Sequence, residues 1–278
     1  MKDTPTLSII TVNLNNHDGL KRTIDSVISQ TFTDYEWIVI DGGSTDGSRE
    51  LIEQYQDYFS YWCSESDKGI YNAMNKGIAH SNGKWLQFLN SGDWLYENNT
   101  LEKVFNRKWE CDIVYGNMIW VKNGVKSPRT YTDKLRFSYL LVQTINHQSS
   151  FYKRELFDST KYDETFRIAS DWAMQMKLIL ENKRFEHINQ FITFFDGSGI
   201  GSQSNETVFH EKYLMFEKYV PYHLREDLEY IQKWEFVERR KSFRVLHNAF
   251  YKLCKFVDKP LHLIEIGRKN KKKHIILK

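Results

Sequence analysis

Short apolar runs alternate with segments of helical periodicity through the first third of the chain, and this alternation is the strongest constraint on the fold. Residues 7–14 read as a buried strand, and residues 20–32 then carry apolar side chains at helical spacing. The pattern repeats, with further strands predicted over residues 35–40, 59–63 and 85–89. Strands that alternate with helices form a parallel sheet with right-handed crossovers. The sequence therefore predicts an α/β fold with a mostly parallel central sheet flanked by helices.

The second half of the chain is predicted to be mixed in strand direction. Apolar strands are expected near residues 112–121, 148–152 and 185–195, and Asn123-Gly124 is typical of a two-residue hairpin turn.

A helix is predicted between the last two of these strands. Ser170 is the expected N-cap, and the apolar stripe is expected to contain Trp172, Met176, Ile179 and Leu180. Asp171 would then lie in the first turn, off that stripe.

The end of the chain is predicted to form a helical extension. After the glycine-rich stretch 196–203 the apolar spacing is helical, so we place a domain boundary near Asn205. The expected domains are residues 1–204 and residues 205–278.

A basic tail follows an apolar segment in that extension. The last eleven residues contain no acid and six basic residues, and they follow Leu261, Leu263, Ile264 and Ile266. This order suits a segment that docks on an anionic membrane surface, and a solvated terminus is the alternative. No recognised nucleic-acid motif accompanies the basic run, so no nucleic-acid partner is expected.

Composition places the chain among ordinary globular proteins. The net charge is +3, and 41% of residues are hydrophobic. The three cysteines, Cys63, Cys111 and Cys254, match no metal spacing and favour a reducing compartment. No signal peptide and no run of about 18 apolar residues is recognised. We expect a protein that is cytoplasmic or peripheral on the inner face of the plasma membrane.

Acidic residues follow the carboxyl ends of three predicted strands. Asp41, Asp67 and Asp93 all fall at or just after such ends, where ligands bind in parallel α/β sheets. Asp41 precedes two glycines, a pattern in which the carboxylate could bind a base or ribose while the turn lets the backbone approach. The alternative for this turn is capping of the next helix, which we favour for Asp46.

Four side chains could take part in binding or catalysis. Asp93, expected to be exposed, could hold a hard divalent cation that grips a diphosphate, or it could simply cap a turn. His147 could be a second metal ligand or a hydrogen-bonded structural residue. Asp171 could be a general base or a carboxylate that interacts with the helix dipole. Lys68 could bind a phosphate or belong to a solvated turn.

Several reaction classes are disfavoured by missing motifs. No GxGxxG follows the first strand, no GxxxxGK[ST] occurs, and no GxSxG elbow follows a strand. The residues alone therefore lead to a nucleotide-binding α/β enzyme and no further.

A series of motifs along the chain resembles a known family. SIITVNLNN, TIDSVISQTF, YEWIVIDGGSTDGS, ESDKGIYNAMNKGIAHSNGKWLQFLNSGD, NHQSSFYKR and ASDW occur in order between about residues 7 and 203. They resemble family 2 glycosyltransferases of the GT-A fold, most of all the bacterial branch that builds surface polysaccharides such as colanic acid.

The resemblance implies a donor site made by residues of the first half. The residues that would bind the nucleotide sugar are Thr11, Asn15, Asp41, Asp67, Lys68, Asn90 and Gly92. Gly92 stands in the family's metal motif where a first acid often is, and Asp93 with His147 would bind Mg²⁺ or Mn²⁺. Asp171 would be the catalytic base.

The implied reaction is a direct, inverting transfer of one sugar to an acceptor saccharide, expected to be lipid-linked. The QxxRW pattern of processive synthases is not found. The competing interpretations are a catalytically silent protein that binds sugar nucleotides or glycans, and a nucleotidyltransferase; the second lacks the expected glycine- and arginine-rich N-terminal loop.

Overall fold

The structure is a computed structural model that describes residues 4–199 and 205–227. Contacts divide the chain into two compact units, Met1–Tyr219 and Val220–Lys278. The basic tail and the apolar segment before it lie outside the described residues, so their membrane role stays a prediction, as does the proposed division near Asn205. Among the described residues, no helix combines the length and apolar character needed to cross a membrane.

The first half of the large unit alternates strands with helices, as predicted. Its elements are β1 (Leu7–Asn13), α1 (His17–Ile28), β2 (Tyr35–Asp41), α2 (Ser48–Gln54), β3 (Tyr61–Ser64), α3 (Ile70–Ala79) and β4 (Trp85–Phe88). β1 pairs in parallel with β2 and β4, and β2 pairs in parallel with β3. The carboxyl ends of all four strands therefore meet at one edge of the sheet.

The second half adds mostly antiparallel strands to this sheet. Its elements are β5 (Trp94–Leu95), α4 (Thr100–Phe105), β6 (Ile113–Lys122), β7 (Val125–Arg129), α5 (Phe137–Leu140), β8 (Ser150–Lys153), α6 (Leu156–Ser159), α7 (Ser170–Leu180), β9 (Phe185–Asp196) and α8 (Asn205–Tyr219). Among the described residues the sheet order is β3-β2-β1-β4-β8-β6-β9-β5, and β7 pairs with β6. The predicted mixed character of this half is confirmed.

The hairpin between β6 and β7 has the predicted turn. Asn123 and Gly124 both have positive φ, at 51° and 76°. Two consecutive positive φ values are typical of the turn that matches the twist of an antiparallel ribbon.

Apolar cores cover both faces of the sheet because successive residues of a strand point to opposite sides. Ile9 and Trp37 pack in the core that includes α1, whereas Ile10 and Ile38 pack in the core that includes α3 and α7.

Helix α7 departs from the prediction in its cap and in its stripe. The N-cap is Ala169 and Ser170 is already helical, so the predicted Ser170 cap is wrong. Ile179 and Leu180 are only partly buried, whereas Gln175 is fully buried. Gln175 is accommodated because its amide hydrogen-bonds the backbone of Ile145. The helix is therefore buried around most of its circumference rather than along a single stripe.

Candidate functional site

Asp41 ends β2, and its carboxylate organises the glycine-rich turn that follows. The side chain is fully buried and accepts hydrogen bonds from Asn13 Nδ2 at 2.7 Å, the backbone N–H of Ser44 at 2.9 Å and Ser64 Oγ at 2.6 Å. Burial alone would raise the pKa of Asp41, but these hydrogen bonds outweigh it and hold the pKa below its ordinary value. The carboxylate is ionised and has protein donors on both oxygens, so a base contact requires one donor to be exchanged.

Thr11 and Asn15, both predicted to border the nucleotide, lie in different surroundings. Thr11 is fully buried and its hydroxyl accepts a hydrogen bond from Trp37 Nε1 at 3.0 Å, so this side chain is not exposed to a ligand. Asn15 is exposed and has a φ of 47°, which asparagine tolerates better than most residues. Its N–H donates to Ser44 Oγ at 2.7 Å, and its Oδ1 accepts from the N–H of Thr45 at 2.9 Å. Asn15 thus fastens the loop after β1 to the turn after β2.

Asp67 reaches the same turn from the loop after β3. A Cβ on Gly42 would lie 3.3 Å from Asp67 Oδ2, so the glycine permits this close approach. Asp67 Oδ1 also lies 2.6 Å from Lys76 Nζ, which contacts Glu65 at 2.7 Å. The hydrogen bonds to Asp67 and Glu65 raise the pKa of Lys76.

Lys68, which follows Asp67 in the chain, is exposed. Asp46 accepts hydrogen bonds from the N–H groups of His17 and Ser48, the first residue of α2, whereas the N-cap position itself is Gly47.

Asp93 lies beyond the carboxyl end of β4 as predicted, but the expected exposure is wrong. The residue is 3% exposed, because the end of β9 contacts this loop and the N–H of Asp196 donates to Asp93 Oδ1 at 2.8 Å. Burial raises the pKa of Asp93 to about 7, although that hydrogen bond and the nearby His147 and Gln148 act in the opposite direction. Within the protein alone, the negative charge of Asp93 is poorly compensated.

Gly92 adopts a backbone conformation that explains why no acid stands there. Its φ is +100°, outside the small left-handed region that asparagine and aspartate can visit. A Cβ at this position would lie 3.1 Å from Asn16 Nδ2 and 3.6 Å from Asp196 Oδ2.

Placing an acid at position 92 is therefore expected to lower the stability of the protein. We predict that Gly92→Asp lowers the free energy of unfolding by about 1–3 kcal/mol, because the backbone is strained whatever side chain is added. Gly92→Ala adds the backbone strain without the charge, so comparing it with Gly92→Asp separates strain from charge repulsion by Asp93 and Asp196. Thermal unfolding of the two variants and wild type measures the effect, and unchanged midpoints would contradict the conformational argument.

Asp171 and His147, which the sequence singled out for separate roles, are direct partners. His147 Nδ1 lies 2.9 Å from Asp171 Oδ2, and the hydroxyl of Tyr71 donates to Asp171 Oδ1 at 3.0 Å. On its other side, His147 Nε2 lies 3.3 Å from Asn90 Nδ2. The histidine therefore connects the first turn of α7 with the loop after β4.

The surroundings of Asp171 keep its carboxylate ionised. Burial would raise its pKa, but the hydrogen bond and charge of His147 and the hydrogen bond of Tyr71 outweigh burial and lower the pKa below its ordinary value. The Asp171 carboxylate accepts a hydrogen bond from His147 Nδ1–H, and in that tautomer Nε2 carries a lone pair that faces Asn90. Histidines that bind metals typically donate their other ring N–H to a carboxylate in this way.

Three side chains at this edge of the sheet could hold a hard divalent cation that arrives with its ligand. They offer the Asp93 carboxylate, His147 Nε2 and Asn90 Oδ1, a buried oxygen without a hydrogen-bond partner in the described part of the chain. Within residues 4–199 and 205–227, no group of three or more His, Cys, Asp or Glu side chains could hold a metal. Mg²⁺ commonly takes one or two carboxylates and completes its shell with water and substrate phosphates. A cation here would depend on a bound diphosphate.

Sequence reasoning missed two partners at this edge of the sheet. Tyr71 was noted only as part of a motif, although it contacts Asp171. Arg22 lies 3.2 Å from Asp196 Oδ2 through its Nη2 and stacks on Trp94 at 4.7 Å. The glycine-rich stretch 196–203 lies partly outside the described residues. Neither pairing has a local sequence signal, since each joins residues far apart in the chain.

Comparison with known proteins adds a family match. The sequence model described as glycosyl transferase family 2 matches residues 8–181. A PGL/p-HBAD biosynthesis glycosyltransferase of Mycobacterium tuberculosis is 32% identical over 181 residues, covering 62% of this chain and 69% of that protein. An uncharacterized glycosyltransferase of the same species, Rv1514c, is 33% identical over 212 residues, covering 73% and 79%.

Solved structures share the fold at low sequence identity. S. aureus TarS 1-349 in complex with UDP has a TM-score of 0.62 and 17% identity, covering 85% of this chain and 74% of that one. The mannosyltransferase PcManGT from Pyrobaculum calidifontis, in complex with GDP-Man and Mn2+, has a TM-score of 0.52 and 16% identity, covering 70% and 57%. In a longer TarS structure the likeness spans 38% of that chain. These matches show the fold.

Proposed function

The chain belongs to glycosyl transferase family 2, and from that premise we propose that it moves one sugar from a nucleotide diphosphate sugar to an acceptor hydroxyl, with inversion. The observation that carries the proposal is the part-buried Asp171–His147 pair, joined by a 2.9 Å hydrogen bond and within electrostatic reach of Asp93. This arrangement would bring a positioned carboxylate base close to an acid that could bind a cation.

Asp171 is the proposed general base. Its ionised oxygen would accept the proton of the acceptor hydroxyl while the acceptor oxygen attacks the anomeric carbon from the face opposite the diphosphate. The bond between the anomeric carbon and the diphosphate oxygen then breaks, and its electron pair leaves with the diphosphate. Tyr71 and His147 each hold one carboxylate oxygen and so limit rotation of the base.

Asp93, with His147 and Asn90, would hold a divalent cation together with the donor. Mg²⁺ or Mn²⁺ bound there would neutralise negative charge that develops on the leaving diphosphate. The neighbours solved with UDP and with GDP-Man and Mn2+ support this donor class. The nucleotide is proposed to bind at the carboxyl ends of β1, β2 and β3 and the loops that follow them, which contain Asn15, Asp41, Asp67 and Lys68.

The proposed acceptor is a lipid-linked saccharide used in bacterial surface polysaccharide biosynthesis. The similarity to a PGL/p-HBAD biosynthesis glycosyltransferase supports a role in biosynthesis. The basic tail supports contact with an anionic membrane at the cytoplasmic face.

The reaction is tested by nucleotide release from a panel of UDP, GDP and dTDP sugars, each with Mn²⁺ or EDTA. We expect one donor class to release its nucleoside diphosphate only when Mn²⁺ is present, slowly with water as acceptor and faster with lipid-linked saccharides. A CMP sugar is the matched negative control, because it carries no diphosphate. Binding of a nucleotide sugar without release under any condition would instead favour the catalytically silent binding protein.

A further inference from the structure

The turn that leads into α7 is held by a carboxylate from a distant helix. Glu211, in α8, accepts hydrogen bonds from three consecutive backbone N–H groups: Oε1 accepts from Arg167 at 2.7 Å, and Oε2 accepts from Ile168 at 2.8 Å and Ala169 at 2.9 Å. Glu211 is 6% exposed. Three N–H donors on one buried carboxylate form a rigid clamp, since hydrogen bonds to an ionised acceptor are stronger than neutral ones.

This clamp stands where the helix has no cap of its own. The N-cap residue Ala169 has no side-chain acceptor, and Ser170 Oγ is buried without a hydrogen-bond partner in the described residues. The entry to α7 therefore depends on Glu211 rather than on local sequence. Among the described ion pairs none involves Glu211, so the backbone N–H groups are what compensate its charge.

The clamped turn is directly connected to Asp171. The hydroxyl of Tyr71 contacts the carbonyl oxygen of Ile168 at 2.5 Å and Asp171 Oδ1 at 3.0 Å. Ile168 is thus held at its N–H by Glu211 and at its carbonyl oxygen by Tyr71. Beyond Asp171, Lys212 of α8 lies 4.8 Å from the ring centroid of Trp172. Helix α8 therefore contacts the chain on both sides of Asp171.

We propose that Glu211 is a positioning residue that sets the orientation of the Asp171 carboxylate through the turn 167–169. The inference rests on the proposed function, in which Asp171 is the base. It makes α8 part of the catalytic unit, although α8 lies beyond residues 8–181 that match the family model. A small displacement of a reacting group can lower a rate by about 100-fold, so the clamp matters for turnover as well as for folding.

The test is steady-state release of nucleoside diphosphate by Glu211→Gln in the full chain, with the panel donor that turns over. Glutamine keeps the size of the side chain, but its NH₂ group would face backbone donors. We expect kcat to fall by about 10–100-fold, while KM for the donor and the dissociation constant of the free nucleoside diphosphate stay unchanged. Glu217→Gln, an exposed substitution on the same helix, is the matched control and should leave kcat unchanged.

Coupling to Asp171 separates positioning from general loss of structure. If Glu211 acts through Asp171, then Glu211→Gln should lower the rate of Asp171→Asn little further, whereas independent effects would multiply. Should Glu211→Gln fail to fold, Glu211→Asp is the variant to measure. It keeps the negative charge but places the carboxylate oxygens elsewhere, so it should lower kcat and leave the affinity for the nucleotide unchanged.

Each negative result has a separate meaning. Wild-type kcat in the folded Glu211 variant, or multiplicative effects in the double variant, would overturn the positioning role while leaving the proposed function intact. Wild-type kcat in Asp171→Asn would instead overturn the assignment of the base itself.

Discussion

Asp171→Asn is expected to lower kcat by about 100- to 10,000-fold, the range that general base catalysis contributes. Asparagine has the size of aspartate and can still accept one hydrogen bond, but it cannot take a proton from the acceptor hydroxyl. Donor binding should be retained, because the nucleotide loops after β1, β2 and β3 do not include Asp171. Steady-state kinetics with acceptor, together with equilibrium binding of the nucleotide, measure the two effects.

A matched Asp-to-Asn substitution outside the site tests whether losing any carboxylate would lower kcat. Asp158 lies in the first turn of α6, its side chain is 64% exposed, and it pairs with Arg154 at 2.7 Å. Exposed pairs of this kind contribute little to stability, so Asp158→Asn should leave kcat and unfolding unchanged. If Asp171→Asn behaved like Asp158→Asn, another group would have to accept the acceptor proton.

Asp93→Asn should abolish metal-dependent nucleotide release and, at the same time, stabilise the metal-free protein. The pKa of Asp93 is raised by burial from 3.8 to about 7. That difference corresponds to about 4 kcal/mol of unfavourable free energy for the ionised form in the folded state, as an upper estimate. Asparagine removes the charge, and its Oδ1 can keep the hydrogen bond from the N–H of Asp196.

The sign of the pH dependence follows from which state binds more protons. Between pH 4 and pH 7 the folded protein holds a proton on Asp93 that the unfolded chain has already lost, so raising the pH over this window destabilises the wild type. Above pH 7 this contribution is constant. The stability difference between Asp93→Asn and wild type should therefore be small near pH 4 and largest above pH 7.

Thermal unfolding in EDTA at several pH values tests this prediction. At pH 8 the midpoint of Asp93→Asn should exceed that of wild type by up to about 10 °C, given typical unfolding entropies for a domain of this size. Adding Mn²⁺ to the protein with bound nucleoside diphosphate should raise the wild-type midpoint further and leave that of the variant at its value with nucleotide alone. A stability difference independent of pH would show that burial does not raise the pKa of Asp93 as described.

Much of the fold was predictable because its signals are local. The strand and helix alternation of the first half, the mixed second half and the turn at Asn123 and Gly124 each follow from residue spacing within a short window. The position of Asp41 at the end of β2 and of Asp93 after β4 follows in the same way. The cap of α7 was predicted wrongly: the N-cap is Ala169, and the turn before the helix is held by Glu211, 42 residues after Ala169.

The burial and pairing of the site residues were not predictable in this manner. Asp93 was expected to be exposed, yet it is covered by contact with Asp196, 103 residues later in the chain. Thr11 was expected beside the nucleotide, but its hydroxyl is buried and accepts a hydrogen bond from the Trp37 indole N–H. Tyr71 reaches Asp171 across 100 residues of sequence. Such pairs depend on which strands and helices become neighbours.

The sequence by itself determined which side chains stand at the carboxyl ends of the strands, because the period of the apolar pattern decides where each strand stops. Only the tertiary structure decided what those side chains do there. Packing of β9 against the loop after β4 buries Asp93 and raises its pKa, and the meeting of α3, α7 and the His147 turn keeps Asp171 ionised. Charge state depends on solvent exclusion and on nearby dipoles, which are properties of the assembled fold.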